Sequence, residues 1–177
     1  MLPLVALALL QSPTLTPTLG AKAPALDVRT VDDKPVRLAP LLKRGPVVLV
    51  VLRGWPGYQC PFCTRQVGEL IGHADDFAKR RSAVVLVYPG PTDGLKGHAD
   101  EFIAGKDVPK SFRFAVDPGY DFTNRYGLRW DAPHETAYPS TFVIGRDGKV
   151  AYAKVSHAHG DRAPVADILA ALDTLPK

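Results

Sequence analysis

The stretch VVLVVLRGWPGYQCPFCTRQVGELIGHADDFAKRRSAVVLVY, residues 47–88, decides the fold class. Val47 to Leu52 are six apolar residues in a row and mostly β-branched, the composition of a strand covered on both faces in the middle of a sheet. After a turn, Val67, Leu70, Ile71, Ala74, Phe77 and Ala78 recur at spacings of three and four, which predicts a helix laying one apolar stripe on that sheet. Ala83 to Tyr88 is a second β-rich apolar run. Strand, helix, strand at this spacing is a βαβ unit with parallel strands, so the chain reads as α/β.

The flanks extend that unit. From Leu26 to Leu38 apolar and polar residues alternate on either side of Asp32 and Asp33, which predicts a short hairpin. Gly90 to Gly97 lacks the glycine spacing and the Lys-Ser/Thr pair of a phosphate loop and reads as an ordinary connection. Beyond it a short helix is expected around Asp100 to Ala104, ending at Gly105, then a strand from Phe112 to Val116 and a helix from Tyr120 to Tyr126 stopped by Gly127. Thr141 to Ile144 and Val150 to Val155 flank Asp147 and Gly148, a strong hairpin signal. The last helix carries Val165, Ile168, Leu169 and Leu172, with Pro164 in its first turn and Pro176 beyond its end.

Composition narrows the class further. With 177 residues, 46% hydrophobic and 23% charged, the chain suits one soluble globular domain and excludes fibrous, disordered and membrane classes. The pI near 9.1 does not mark a nucleic-acid binder, because the basic residues are scattered. Their densest cluster, Lys79, Arg80 and Arg81, falls at the end of a predicted helix, where cations oppose the partial negative charge of the helix terminus. No charged side chain precedes Lys22. Residues 1–20, with the apolar run Leu2 to Leu10, read as a signal-like or disordered head before a domain spanning 21–177. That head predicts export to a periplasmic or extracytoplasmic space, with a cytoplasmic protein as the alternative. Pro13 and Pro17 interrupt it well short of the about 20 apolar residues of a membrane span.

The two cysteines, Cys60 and Cys63, close too small a loop to serve as a structural staple. They lie beyond the carboxyl end of the predicted central strand, where parallel sheets build their sites. Pro61 suits the first turn of a helix, which puts Cys60 at the N-cap and Cys63 about one turn in. There the unpaired N–H groups stabilise a thiolate, and Arg53 and Arg65 are candidates to add positive charge. A thiolate with a second thiol beside it reads as a nucleophile with a resolving partner. Structural zinc through Cys60, Cys63, His157 and His159 is disfavoured by the histidine spacing, so neither a metal nor another cofactor is expected. His134 and Glu135 are candidates to face substrate. Trp55 and Tyr58 either shape a contact surface or fill their own loop, and His157 and His159 read as solvated loop residues.

Three passages carry a resemblance: GAKAPALDVRTVDDKPVRL (residues 20–38), RGWPGYQCPFCTRQ (53–66) and YPSTFVIGRDGKV (138–150). Through them the chain resembles the peroxiredoxin-like branch of the alkyl hydroperoxide reductase/thiol-specific antioxidant (redoxin) family. The resemblance implies a thioredoxin-like fold, with a central mixed β-sheet flanked by helices and an N-terminal β-hairpin extension. It also implies a thiol-dependent oxidoreductase whose catalytic residues are Cys60 and Cys63. Pro56 and Cys63 match the family's PxxxTxxC motif, with Cys60 in place of the threonine. Pro139 stands where peroxiredoxins commonly carry an arginine, and it resembles instead the cis-proline of thioredoxins, which presents backbone to an extended substrate. Pro139, Pro56 and Arg53 are therefore the expected substrate-positioning residues, and Tyr138–Pro139 is expected to be cis.

Two activities stay open at this point. In a peroxidase, Cys63 attacks and Cys60 resolves, with an arginine from Arg53, Arg125 or Arg129 stabilising the leaving oxygen. In a thioredoxin-like reductase of protein disulfides, Cys60 leads. Either needs an external thiol reductant such as a thioredoxin-like protein.

Overall fold

The computed structural model describes residues 16–176, so most of the signal-like head lies outside the described residues. Strands β1 (Asp27–Thr30) and β2 (Pro35–Arg37) form the expected hairpin and lead through α1 (Leu38–Leu42) into β3 (Val47–Val51). There follow α2 (Pro61–Gly72), α3 (Ala74–Lys79), β4 (Ala83–Gly90), α4 (Leu95–Ile103), β5 (Phe112–Pro118) and α5 (Asp121–Arg125). The hairpin β6 (Ser140–Ile144) and β7 (Val150–Val155) precedes the last helix, α6 (Val165–Asp173). The seven strands make one mixed sheet in the order β2-β1-β5-β4-β3-β6-β7.

At the centre, β3, β4 and β5 are parallel, while β6 runs antiparallel to β3 and β7 antiparallel to β6. Register then decides which loops meet. Val51 pairs with Ser140, and Ser140 with Val155, so the end of β3, the start of β6 and the end of β7 share one edge. The loops after β3, before β6 and after β7 are thereby gathered at one place, although more than a hundred positions separate the first from the last.

Strand alternation divides the core into two layers. Val48, Val50 and Leu52 pack on one face with Val84, Leu86 and Tyr88, under Val67 and Leu70 of α2, Phe77 of α3, Phe102 of α4 and Ile168 of α6. Val47, Leu49 and Val51 pack on the other with Val85 and Val87, under Leu38 of α1 and Phe122 of α5. Every side chain from Val47 to Leu52 is completely buried, which is why this run is apolar without alternation.

Three local details differ from the expectations. The single predicted helix after the cysteines is two, broken at His73, which ends α2 and opens α3. Its carbonyl accepts from the Asp76 and Phe77 amides, and its ring pairs with Asp76, so His73 is the backbone N-cap of α3 one residue after α2 ends. Helix α4 starts at Leu95 rather than near Asp100, because the apolar stripe Leu95, Ala99 and Phe102 already begins there. The single-turn α1 was not expected, being too short to show a periodic pattern. At the end of α3, Lys79 pairs with Asp76, while Arg80 donates to the Asp76 carbonyl at 3.0 Å and pairs with Asp173 of α6 through two 2.7 Å hydrogen bonds.

The junction of β3 with its following loop is tight. Gly54 has φ +68°, and a Cβ placed on it would lie 1.8 Å from the Pro89 carbonyl oxygen. That same oxygen accepts the Trp55 N–H at 2.9 Å, which continues the β3–β4 pairing into the loop. Gly54→Ala is therefore expected to cost about 3 kcal/mol by combining a strained φ with a backbone clash. A urea titration should show a lower midpoint at unchanged slope.

Candidate active site

Residues 53–60 connect β3 to α2 and turn on Gly54 and Gly57, both at positive φ. Cys60 is the N-cap of α2 in extended backbone, and Pro61 is the first helical residue, as the sequence predicts. The Cys60 carbonyl accepts the Thr64 N–H at 3.0 Å, closing the first turn and fixing Cys63 on its inner side. Both cysteines are free thiols, Cys60 1% and Cys63 0% exposed.

Three groups surround the sulfurs. The Arg53 main-chain N–H donates to Cys63 Sγ at 3.3 Å. The Arg162 guanidinium, in the loop after β7, places Nη2 3.7 Å from Cys63 Sγ and 4.0 Å from Cys60 Sγ. The third contact is between the thiols themselves, and it separates their ionisation. A hydrogen bond from Cys63 holds Cys60 well below the ordinary thiol range against the cost of burial, with help from the Cys63 and Phe62 amides and the Arg162 charge. The same hydrogen bond, with burial and the negative charge on Cys60, pushes Cys63 well above that range. Cys60 is therefore the more acidic thiol of the pair.

Arg53 is 2% exposed, and each nitrogen of its guanidinium has a partner. Nε donates to Glu135 Oε2 at 2.7 Å, Nη1 to Tyr58 Oη at 2.6 Å and Nη2 to the His134 carbonyl at 2.6 Å. Burial opposes its charge, but Glu135 and Tyr58 outweigh that and raise its pKa. The other Glu135 oxygen lies 2.7 Å from His159 Nε2. Burial alone would raise the Glu135 carboxyl, yet Arg53 and His159 hold it below the usual carboxylate range.

A second chain of contacts closes the other side. Tyr88 donates to Gln59 Oε1 at 2.8 Å, and Gln59 Nε2 donates to the His98 carbonyl at 2.8 Å. Burial, reinforced by the nearby cysteine charge, raises the Tyr88 phenol and keeps it a neutral donor. Trp55 stacks on His98 with ring centres 3.6 Å apart, so it fills its own loop, while Tyr58 stays 46% exposed at the rim.

Residues 19–153 match the sequence profile of the AhpC/TSA family. The chain belongs to the AhpC/TSA family. Among curated proteins, none shows significant sequence similarity to it. Among solved structures it is similar to the peroxidoxin BcpB from Mycobacterium tuberculosis, at 22% identity and a TM-score of 0.70 over 91% of this chain and 99% of that one. It is also similar to a thiol peroxidase from Chromobacterium violaceum, at 16% identity and a TM-score of 0.67 over 91% and 90%. A putative thiol:disulfide interchange protein DsbE from Chlorobium tepidum matches at 26% identity and a TM-score of 0.65 over 89% and 99%. The mixed sheet with its N-terminal hairpin is thus the thioredoxin-like fold of this family, and the protein is a thiol-dependent oxidoreductase.

Several expectations about this AhpC/TSA site need correction. The Tyr138–Pro139 bond is trans, because the chain runs extended from the Arg129–Ala137 bridge directly into β6. Its polar groups are used internally: the Tyr138 N–H donates to Leu128, the Tyr138 carbonyl accepts from Ser140 Oγ, and the Pro139 carbonyl accepts from Ser156. Of the arginines considered for the sulfurs, Arg53 reaches them by its main chain only. Arg125 points to the Asp121 and Asp27 carbonyls, and Arg129 to those of Trp130, Glu135 and Thr136. Arg65 is exposed over the Phe62 ring. Pro56 is buried in the cysteine loop.

The guanidinium at the sulfurs is that of Arg162, which sequence reasoning passed over. Nothing local marks it, since only the β3–β6–β7 register carries its loop to the cysteines. His157 packs on Tyr138, and His159 on Glu135 and Trp130. Among the described residues no group of three or more His, Cys, Asp or Glu side chains is arranged to hold a metal ion.

Arg162→Ala removes a cation within about 4 Å of both sulfurs and should move the Cys60 ionisation midpoint up by about one pH unit. The pH dependence of Cys60 alkylation by iodoacetamide measures it. In the native protein alkylation stays fast well below pH 8, where a free cysteine is mostly protonated, and slows only as pH falls through the depressed Cys60 value.

Proposed function

We propose that this protein reduces peroxides through a Cys60–Cys63 dithiol/disulfide cycle in which Cys60 attacks and Cys63 resolves. The observation that carries the reading is the Arg162 guanidinium, which spans both sulfurs while its buried Nε and Nη1 have no hydrogen-bond partner among the described residues. The guanidinium that carries those two N–H groups has its third nitrogen, Nη2, 4.0 Å from Cys60 Sγ, which makes it the nearest cation to a peroxide attacked there. Unpaired buried donors are costly in a resting protein, and they gain most where negative charge develops.

The chemistry balances as follows. The Cys60 thiolate attacks the hydroxyl oxygen of the peroxide, the O–O bond breaks, and that oxygen passes to Cys60 with its own hydrogen as the sulfenic acid. The other oxygen leaves as an alkoxide or hydroxide, stabilised by Arg162, and takes its proton from water. Cys63 then displaces the sulfenic oxygen as water and forms the Cys60–Cys63 disulfide. Two equivalents of an external thiol, such as a reduced thioredoxin-like protein, restore both thiols and leave as a disulfide.

The runner-up is reduction of protein disulfides, favoured by the DsbE-like neighbour and by the same lead role for Cys60. Two features weigh against it. The Cys60 side is 1% exposed, which suits a small oxidant better than the in-line approach of a protein disulfide. The backbone around Pro139 also has its polar groups bonded internally, leaving none to pair with an extended substrate.

Sulfenic-acid trapping with hydrogen peroxide tests the proposal in Cys60→Ser and Cys63→Ser proteins. Cys63→Ser should accumulate sulfenic acid at Cys60 much faster than free cysteine, and Cys60→Ser should not. If neither the native protein nor Cys63→Ser outpaces free cysteine, while the native protein reduces insulin disulfides, the reductase reading replaces this one.

A further inference from the structure

We infer that Glu135 is a positioning residue whose carboxylate ties the strand end bearing Arg53 to the loop bearing Arg162, and thereby holds Arg162 over the cysteine pair. Its importance for turnover rests on the peroxide-reduction reading, but the coupling it predicts is measurable without turnover.

The geometry is bidentate. One Glu135 oxygen holds Arg53 and the other holds His159, each at 2.7 Å, in a side chain only 11% exposed. On the first arm, Arg53 is fixed at the end of β3, where its own main-chain N–H donates to Cys63 Sγ. On the second, His159 stands three residues before Arg162 in the loop between β7 and α6.

Arg162 has few anchors of its own. Its guanidinium contacts the two sulfurs, and its Nε and Nη1 lack hydrogen-bond partners among the described residues, so its position is set chiefly by the backbone of its loop. That loop is fastened at its start by the Ser156 N–H on the Pro139 carbonyl and internally by Ser156 Oγ on the Asp161 carbonyl. The Lys154–Asp161 pair is largely exposed and adds little. The His159–Glu135 contact joins the middle of the loop to the buried part of the site. The Trp130 ring, 5.4 Å from His159, covers it.

Glu135 is held ready for this by its own hairpin. Residues 128–138 fold back with Tyr138 N–H on the Leu128 carbonyl and Trp130 N–H on the Thr136 carbonyl. His134 sits at φ +59° at the tip and offers its carbonyl to Arg53. One loop thus reads the position of the other two.

His159→Ala, His159→Gln and Glu135→Gln in the full chain test the inference, with Cys60 alkylation against pH as the readout. His159→Ala and Glu135→Gln should raise the Cys60 midpoint by about one pH unit, which corresponds to about tenfold less thiolate below it. His159→Gln, whose amide N–H can still donate to Glu135, should restore most of the native value. A residue that only supports the fold would lower thermal stability and leave the midpoint in place. Native titration in both His159→Ala and Glu135→Gln overturns the inference. Should Glu135→Gln fail to fold, the two His159 variants carry the decision alone. Native protein that titrates as expected but does not consume peroxide would overturn the peroxidase reading and leave the positioning role standing.

Discussion

A guanidinium buried at the end of the central strand is the constraint around which the site is organised. Arg53 is 2% exposed, and a cation so far from water must be paired and fully hydrogen-bonded. Glu135, Tyr58 and the His134 carbonyl meet that demand together. Removing the carboxylate would leave an uncompensated buried charge, a loss on the order of 3–5 kcal/mol. The cysteine loop, the hairpin of residues 128–138 and the loop before α6 are consequently fastened to one another through a single side chain and its partner.

That saturation has a chemical effect. With each of its three nitrogens committed to Glu135, Tyr58 or the His134 carbonyl, the Arg53 side chain is held away from the sulfurs, and its main-chain N–H is what reaches Cys63. Arg162, which enters from the other end of the chain, keeps two buried donors without a partner among the described residues. Two arginines therefore divide the work, one holding the architecture and the other facing the sulfurs. Their order in the sequence gives no hint of this division.

The two thiols are made unequal by a similarly short-range cause. Ionising one raises the cost of ionising the other, so the thiol better stabilised by fixed dipoles is the more acidic. Cys60 has the first-turn amides of α2 and lies nearer the surface, whereas Cys63 is wholly enclosed. The family motif that the sequence resembles places the attacking cysteine at Cys63, but here a thiol replaces the threonine and is the more acidic of the two. An alcohol at that position cannot compete for ionisation, and a thiol can.

Much of the fold was legible from local pattern. The all-apolar run Val47–Leu52 located the central strand, Pro61 located the helix start, and Asp147-Gly148 located the last hairpin, because each depends on residues within a few positions of one another. The break at His73 and the early start of α4 were not legible, since each turns on capping or burial against other elements. At the site, the cysteine pair and its place at a helix N-terminus followed from spacing alone. The trans Tyr138–Pro139 bond, the choice of Arg162 and the Arg53–Glu135–His159 bridge did not. They arise where β3, β6 and β7 bring distant loops to one edge, and the strand register that does so is a property of the assembled sheet rather than of any segment read by itself.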